Sequence, residues 1–139
     1  RVDFVLKRVN LIDAHHKSPS EISGGMQKRV AIARAIVNKP QYLFCDEPNS
    51  GLDPNTSTLI DNLIKEITEE YDITTVINTH DMNSVMEIGD NILFLKNGVK
   101  AWQGNKDEMF ITENEAVVEF VYSSNLFKKV REAYLKDLK

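Results

Sequence analysis

The chain has 139 residues, of which 42% are hydrophobic and 27% are charged, so its length suits about one globular domain with a substantial core. Its net charge of -4 excludes a sequence-wide basic surface, and we therefore predict no nucleic-acid partner. No apolar run approaches the roughly 18 residues that span a bilayer, which favours a cytoplasmic protein.

The first part of the chain predicts two helices separated by a loop. Residues 2–10 have the pattern of a short amphipathic helix, and turn-forming residues follow it. His15 and His16 lie in that loop, and we predict a surface position because adjacent side chains diverge and no third metal ligand is near. A second helix is predicted from Gly25 to a stop before Pro40. Its apolar residues at helical spacing are Met26, Val30, Ala33 and Val37, with Ile32 and Ile36 beside them.

A buried strand and a long helix are predicted next. Residues 41–45 form a short apolar run between turn formers, which predicts a strand covered on both faces in a parallel sheet. Cys45, the only cysteine, is predicted to be a small buried hydrophobic residue, and a disulfide within the chain is excluded. Asp53 and Pro54 predict the start of a helix that continues to about residue 70. Its predicted buried stripe is Leu59, Leu63 and Ile67, and its predicted solvated residues are Asp61, Glu66 and Glu69.

The rest of the chain alternates strands with a helix and then becomes helical throughout. β-Branched and apolar residues predict strands at 73–78 and 91–96 with a helix at 81–88 between them, and Asn97 and Gly98 predict a turn into a further strand at 99–102. Such alternation indicates an α/β fold with a parallel sheet and flanking helices. From about residue 105 only helices are predicted. The last one carries the apolar stripe Phe127, Val130, Tyr134 and Leu138, which packs on its own domain, as we favour, or docks a partner.

Polar side chains follow two of the predicted strands at the point where each strand ends. Asp46 and Glu47 come directly after the first strand, and His80 follows the second. Ligands of open α/β sheets bind at the carboxyl ends of the strands. Consecutive residues point in opposite directions, so one carboxylate can reach Mg²⁺ while the other polarises a water molecule. An acidic strand end and a lone histidine are each often structural, but their shared edge favours a catalytic site.

A further candidate site is the start of the second helix. Ser23, Gly24 and Gly25 precede the helix, where backbone N–H groups and the positive end of the helix dipole can bind an anion. Two residues without Cβ atoms let a phosphate approach the backbone closely. The order and spacing of this site with the two strand-end sites predict a nucleotide-binding protein.

At these residues the sequence resembles the ATP-binding cassette (ABC) ATPases. The segment Ile22 to Met26 is similar to the family's signature motif, and residues 28–35 are similar to the helix that follows it. Residues 42–47 resemble the Walker B strand, residues 50–53 the D-loop, and His80 the switch histidine. The resemblance covers residues 18 to about 104.

The resemblance implies a partial P-loop NTPase (RecA-like) sheet with flanking helices, in one ABC nucleotide-binding domain. Residues 1–40 would form the end of the helical subdomain with the signature motif. Residues 41–104 would form the core with Walker B, D-loop and switch histidine. Residues 105–139 would form a helical C-terminal tail.

The resemblance also implies a role for each matching residue, with ATP and Mg²⁺ as cofactors. Asp46 would hold Mg²⁺ through water, Glu47 would be the general base for the attacking water, and His80 would sense the γ-phosphate. The implied nucleotide-binding residues of the signature motif and D-loop are Ser23, Gly24, Gly25, Met26 and Asp53. The signature residues would act on a nucleotide held by the opposite subunit, and Asp53 would link the two sites of a dimer.

Two positions depart from the family pattern. Met26 replaces the usual glutamine, and since methionine donates no hydrogen bond, anion binding would depend on Ser23 and the Gly24–Gly25 backbone. Asn49 replaces the threonine that usually follows Glu47 and Pro48.

Within the family, the Gly-Gly-Met signature, the run from Thr79 to Met82 and residues 114–120 look most like the ATPases of lipid-trafficking (Mla-type) transporters of Gram-negative bacteria. The resemblance then implies a second ATPase subunit, a membrane permease and a lipid-transfer protein as partners, on the inner face of the cell membrane. The alternatives are an importer or exporter ATPase for another substrate, or a soluble ABC ATPase outside transport. The residues contain no Gly-Lys-Ser or Gly-Lys-Thr phosphate loop and no Q-loop, so we expect a C-terminal portion that is inactive alone.

Overall fold

A computed structural model describes residues 1–138 of the chain, which form two compact units, Arg1–Ser84 and Val85–Lys139. The first unit contains helices and a pair of strands, and the second contains a hairpin followed by helices. The elements are α1 (Val2–Arg8), α2 (Gly24–Ile36), β1 (Tyr42–Asp46), α3 (Pro54–Glu70), β2 (Thr74–Asn78), α4 (Met82–Ile88), β3 (Ile92–Lys96), β4 (Val99–Gly104), α5 (Lys106–Ile111), α6 (Glu115–Val121) and α7 (Asn125–Asp137). No described helix is both long and apolar enough to cross a membrane.

The first unit is organised around a parallel pair of strands, as the sequence predicts. β1 and β2 pair from Tyr42 opposite Thr74 to Asp46 opposite Asn78. The core below them is almost entirely aliphatic. Its members come from α1 and the turn after it, α2, the two strand regions and α3: Val5, Val9, Leu11, Ile32, Ala33, Ile36, Leu43, Ile60, Ile64, Ile67 and Ile73.

The prediction that β1 is covered on both faces is wrong for the described chain. Leu43 is buried, but Tyr42 and Phe44 on the opposite face are 61% and 74% exposed. Val76 of β2 is also exposed. Side chains alternate between the faces of a strand, and α2 and α3 pack with the face that carries Leu43. Cys45 is half-buried rather than fully buried, and burial raises the pKa of its thiol.

Two helices of the first unit begin close to where the sequence predicts, but the buried faces differ. α2 begins at Gly24 and buries Ile32, Ala33 and Ile36, while Met26, Val30 and Val37 are only half-buried. In α3, Leu59 is 67% exposed, and the buried residues are Ile60, Asp61, Ile64 and Ile67. The predicted solvated position of Asp61 is therefore wrong. Of the predicted stripe, Ile67 is buried and Leu63 is half-buried against the core, so the face that packs is shifted toward Ile60 and Ile64 and away from Leu59.

The second unit begins with a two-stranded antiparallel sheet. β3 and β4 pair from Ile92 opposite Gly104 to Lys96 opposite Val99, with an irregularity after Phe94. Asn97 and Gly98 have φ values of 53° and 75°, the left-handed conformation of a tight hairpin turn, which confirms the predicted turn. The third predicted strand thus pairs in a hairpin, and within the described residues the parallel sheet has two strands.

The helices of the second unit begin at capping side chains. Asn105, Asn114 and Ser124 accept hydrogen bonds from backbone N–H groups in the first turns of α5, α6 and α7. Below them lies a buried cluster in which the Tyr122 hydroxyl donates to the Met109 carbonyl at 2.7 Å. The other fully buried side chains here are Met109, Val117 and Val121.

Helix α7 packs on its own unit, mainly through residues of mixed polarity. The rings of Tyr134 and Phe110 stack at 4.9 Å, and Arg131 donates to the carbonyl oxygens of Phe110 and Thr112 at 3.1 and 2.8 Å. Of the predicted apolar stripe, Phe127 and Tyr134 are half-buried, while Val130 and Leu138 are 41% and 62% exposed. Half of the stripe is thus exposed, and the preferred interpretation, in which the stripe packs on its own domain, stays a prediction.

Candidate functional site

The ends of β1 and β2 bring together the first group of predicted site residues. Asp46 and Asn78 are partners in the strand register, and the Asn78 amide donates to Asp46 Oδ1 at 2.7 Å. The N–H of Glu47 donates to the Asn78 carbonyl at 2.8 Å, which extends the pairing by one residue. Parallel strands therefore place the Asp46 and Glu47 backbone beside the segment that leads to His80.

Glu47 and His80 form the central contact of the site. Glu47 Oε1 lies 2.8 Å from His80 Nδ1 and accepts the His80 backbone N–H at 3.1 Å. Thr79 donates from its hydroxyl to Glu47 Oε2 at 3.4 Å. The sequence predicts that these strand ends share one edge, and the structure brings the carboxylate and the imidazole into hydrogen-bond contact.

This contact sets the electrostatics of the histidine. The hydrogen bond to Glu47 raises the pKa of His80, and the negative charges of Glu47 and Asp81 act in the same direction. The His80 side chain is 77% exposed, whereas that of Glu47 is 31% exposed. An accessible imidazole beside a partly enclosed carboxylate is suited to hold a water or a phosphate oxygen at the edge of the sheet.

Glu47 has an unusual backbone conformation. Its φ is 45°, in the left-handed region that residues with a Cβ rarely adopt. The Lys28 ammonium group on α2 donates to the Glu47 carbonyl at 3.3 Å, which ties the helix after the predicted signature motif to this turn. Sequence reasoning assigned Lys28 no role, because nothing local to its position on α2 shows that it faces a carbonyl 19 residues away.

The predicted anion site lies at the start of α2. Ser23 is the N-cap residue, and its hydroxyl accepts the Met26 N–H at 3.3 Å. Gly24 is exposed, but Gly25 is buried, and a Cβ on Gly25 would lie 2.6 Å from Thr56 Cγ2 of α3. The glycine at this position is therefore required for close helix packing. The half-buried Met26 packs against the core.

Asp53 lies at the start of α3. Its carboxylate accepts the Thr56 N–H at 3.1 Å and also the Thr56 hydroxyl, and these two hydrogen bonds lower the pKa of Asp53. The predicted N-cap is therefore observed. Because Gly25 packs on Thr56, the beginnings of α2 and α3 are adjacent. The nucleotide-binding roles of Ser23, Gly24, Gly25, Met26 and Asp53 stay predictions.

Asp46 fits a limited role in holding Mg²⁺. No group of three or more histidine, cysteine or acidic residues is arranged to hold a metal within residues 1–138. Mg²⁺ often binds through one or two carboxylates, with waters and substrate phosphates completing its coordination. An ionised carboxylate has about four acceptor positions, so Asp46 can accept the Asn78 amide and still take part in cation binding.

The structure shows a buried polar cluster that the sequence did not predict. Asn49 and Ser84 both contact the Asp61 carboxylate, and all three residues are at most 5% exposed. The available signal was weak: Asp61 lies directly after Ile60 and three residues before Ile64, on an apolar face. Asn49 did stand out, since it departs from the family pattern.

Comparisons with known proteins agree with this arrangement. A protein-family model described as "ABC transporter" matches residues 1–50, which include the start of α2 and the Asp46–Glu47 pair. A methionine import ATP-binding protein, MetN 1 of Oceanobacillus iheyensis, is 39% identical over 132 residues, covering 95% of this chain and 39% of that protein. The MetN protein of Carboxydothermus hydrogenoformans is 38% identical over 97% of this chain and 40% of its own length. The chain thus spans about two fifths of the length of these curated relatives.

Two solved structures share the fold. The ATP-binding cassette MJ1267 of an ABC transporter, in its ADP conformation, aligns with a TM-score of 0.78 at 26% identity, over 88% of this chain and 49% of that one. The cassette MJ0796, solved as a dimer in a post-hydrolysis state with ADP and phosphate, aligns with a TM-score of 0.64 at 36% identity, over 74% and 44% of the two chains. These relatives do not support the Mla-type prediction and agree better with the alternative of an importer for another substrate. Together the matches and the fold make the chain similar, in sequence and in fold, to part of the ABC transporter ATP-binding proteins.

Proposed function

We propose that this chain contributes the signature, Walker B and switch-histidine residues of an ATPase subunit that powers an ABC importer. The observation that carries the proposal is the Glu47–His80 contact at the edge of β1 and β2, with Asp46 beside it. The carboxylate of Glu47 is oriented by the His80 backbone and ring and by Thr79, so its position does not depend on one weak contact.

The chemistry assigned to the site follows from these positions. Glu47 accepts a proton from the water that attacks the terminal phosphate, and His80 orients that water or the phosphate oxygens. Asp46 contributes to holding Mg²⁺, which when bound neutralises charge on the phosphate oxygens. Ser23 and the backbone of Gly24 and Gly25 contact the phosphate of a nucleotide held by a second subunit.

The relatives support this choice of partners and substrate. One similar cassette was solved as a dimer with ADP and phosphate, which favours a second ATPase subunit across the site. The names of the curated relatives favour import of an amino acid, methionine. We infer a membrane permease and a substrate-binding protein as the partners of such an importer. The cytoplasmic face of the membrane is the expected location. Lipid trafficking has no support among them.

The catalytic role is tested by Glu47→Gln in the complete protein that carries this chain. We expect ATP turnover to fall by about 10²–10⁴-fold, because the variant keeps an acceptor oxygen for His80 but loses the general base. ATP binding, measured with a fluorescent analogue, should be retained. The matched control is Glu69→Gln, an exposed carboxylate change on α3. Turnover that survives Glu47→Gln would contradict the proposed role.

The substrate is tested by transport rather than hydrolysis. Cells whose chromosomal copy carries Glu47→Gln should lose uptake of labelled methionine and keep normal phospholipid distribution between membranes. Normal methionine uptake together with altered lipid distribution would reverse the choice between the two substrates.

A further inference from the structure

The buried polar cluster Asn49, Asp61 and Ser84 joins three separate elements of the first unit. The Asn49 amide donates to both carboxylate oxygens of Asp61 at 3.3 Å and to the Ser84 hydroxyl oxygen at 2.7 Å. The Ser84 hydroxyl donates in turn to Asp61 Oδ2 at 2.7 Å. Asp61 lies on α3, Asn49 lies in the loop after β1, and Ser84 lies on α4. Buried polar groups are costly unless they are paired, so this triangle fixes the positions of all three segments.

Asn49, one member of the cluster, lies close in sequence to Glu47. Asn49 follows Glu47 by two residues, and the intervening Pro48 restricts the backbone between them. The turn is closed by the Ser50 N–H, which donates to the Glu47 carbonyl at 3.2 Å. Glu47 itself has a positive φ, a conformation that persists only where the surroundings hold it. A displacement of Asn49 would therefore be transmitted to Glu47.

Ser84, another member of the cluster, lies close in sequence to His80. Ser84 follows His80 by four residues, and the connecting segment is held by internal hydrogen bonds. The Asp81 N–H donates to the Thr79 hydroxyl at 3.0 Å, and the Asn83 N–H donates to Asp81 Oδ1 at 2.9 Å. Ser84 thus anchors the start of α4 and, through it, the backbone that presents His80.

We propose that Asp61 is a positioning residue of the catalytic site, which holds the Glu47 segment and the His80 segment in register through Asn49 and Ser84. The proposed action of Asp61 runs through the hydrogen bonds that it accepts from these two residues. The assignment deepens the proposed ATPase function and rests on it for its catalytic meaning. The departure of Asn49 from the family pattern has a physical reason in this arrangement, because an amide can donate to Asp61 and Ser84 together, whereas a threonine hydroxyl has a single donor.

A merely structural role for the cluster makes a different prediction. If Asp61 only stabilised α3 against the core, its removal would lower the free energy of unfolding and leave the Glu47–His80 contact of the folded molecules intact. If it positions the two segments, the contact loosens in molecules that are still folded. The two possibilities are separated by observing His80 directly under conditions where the variants are folded.

The experiment is an NMR titration of the His80 ring in the complete protein that carries this chain, with the His80 signal assigned by its loss in His80→Ala. Three variants each remove part of the cluster: Asp61→Asn, Asn49→Ala and Ser84→Ala. Because Glu47 raises the pKa of His80, we expect that pKa to fall in all three variants, as we also expect for Glu47→Gln. Far-UV circular dichroism establishes that each variant is folded before titration.

The same variants are then assayed in the complete protein. We expect kcat for ATP hydrolysis to fall by at least about tenfold with little change in KM, since a misplaced base costs turnover more than binding. Glu69→Gln, an exposed carboxylate change on the same helix, is the matched control and should alter neither measurement. An unchanged His80 titration in folded Asn49→Ala and Ser84→Ala would overturn the proposal. A shifted titration in a protein that hydrolyses no ATP would refute the proposed function and leave the coupling itself intact.

Discussion

The units Arg1–Ser84 and Val85–Lys139 both have apolar cores, but they differ in where they place polar groups. In the part of the chain that the structure describes, the buried polar or charged residues Asn49, Asp61 and Ser84 all lie in the first unit. In the second unit, Asn105, Asn114 and Ser124 serve as helix caps. Buried polar side chains and a strained Glu47 are unfavourable for folding alone, and they occur in the unit that carries the candidate site. The buried polar groups and the strained backbone thus occur in the same unit as the candidate site.

The largest expected effect tests which face of α3 supports the first unit. Ile64→Ala removes a side chain that is only 1% exposed and lies outside the predicted stripe, and it should lower the free energy of unfolding by about 2–5 kcal/mol. Leu59→Ala on the adjacent stripe should change it by less than about 0.5 kcal/mol, because Leu59 is largely exposed. Urea unfolding followed by circular dichroism measures both. Equal losses of unfolding free energy in the two variants would instead support the buried face that the sequence predicts.

A second prediction concerns the packing of α2 on α3. Gly25→Ala places a Cβ 2.6 Å from Thr56 Cγ2 and should destabilise the first unit by about 1–3 kcal/mol through overpacking. Gly24→Ala is the matched control, because its Cβ would meet its nearest neighbour, Leu52 Cδ2, at 3.5 Å. Adding Thr56→Ser to Gly25→Ala removes the clashing methyl group and should recover most of the loss. Failure of this rescue would show that Gly25 is required for another reason.

The third prediction concerns the second unit. Tyr122→Phe removes the hydroxyl that donates to the buried Met109 carbonyl and should cost about 1–2 kcal/mol. The fluorescence of Trp102, the only tryptophan, reports unfolding of this unit. ATP turnover of the complete protein at a temperature where the variant is folded should be unchanged. A fall in turnover would show that the candidate site depends on the second unit.

The smallest effect is a pH dependence in the first unit. The pKa of His80 is raised in the folded chain. The interaction of His80 with Glu47 therefore stabilises the folded state in full at pH values below the ordinary histidine pKa of about 6.5. That contribution is lost as the pH rises through the higher folded-state pKa. Glu47→Gln should therefore flatten the decline in the free energy of unfolding above about pH 6.5. An identical decline in His80→Ala would assign the pH dependence to another group.

The order of the elements and the strand-end site could be predicted from the sequence because they depend on local signals. The N-cap at Asp53, the turn at Asn97 and Gly98, and the adjacency of Asp46, Glu47 and His80 each follow from a few neighbouring residues or from the rule for parallel strands. The buried face of α3 could not be predicted in this way. Leu59, Leu63 and Ile67 and the neighbouring stripe of Ile60, Ile64 and Ile67 both satisfy helical spacing, so only the contacts with other elements distinguish them.

By itself, the sequence determined that the chain has an α/β arrangement with phosphate-binding and metal-binding residue types at fixed intervals. Only the tertiary structure decided what several of those residues contact. Gly25 has no Cβ and so leaves room for Thr56 of α3, and Lys28 donates a hydrogen bond to the Glu47 carbonyl. Asp61 is buried between Asn49 and Ser84. These contacts join residues at least 12 positions apart in the sequence, and a local pattern does not indicate which distant side chain packs there. The free energy of such contacts depends on burial and geometry, which exist only once the elements have packed.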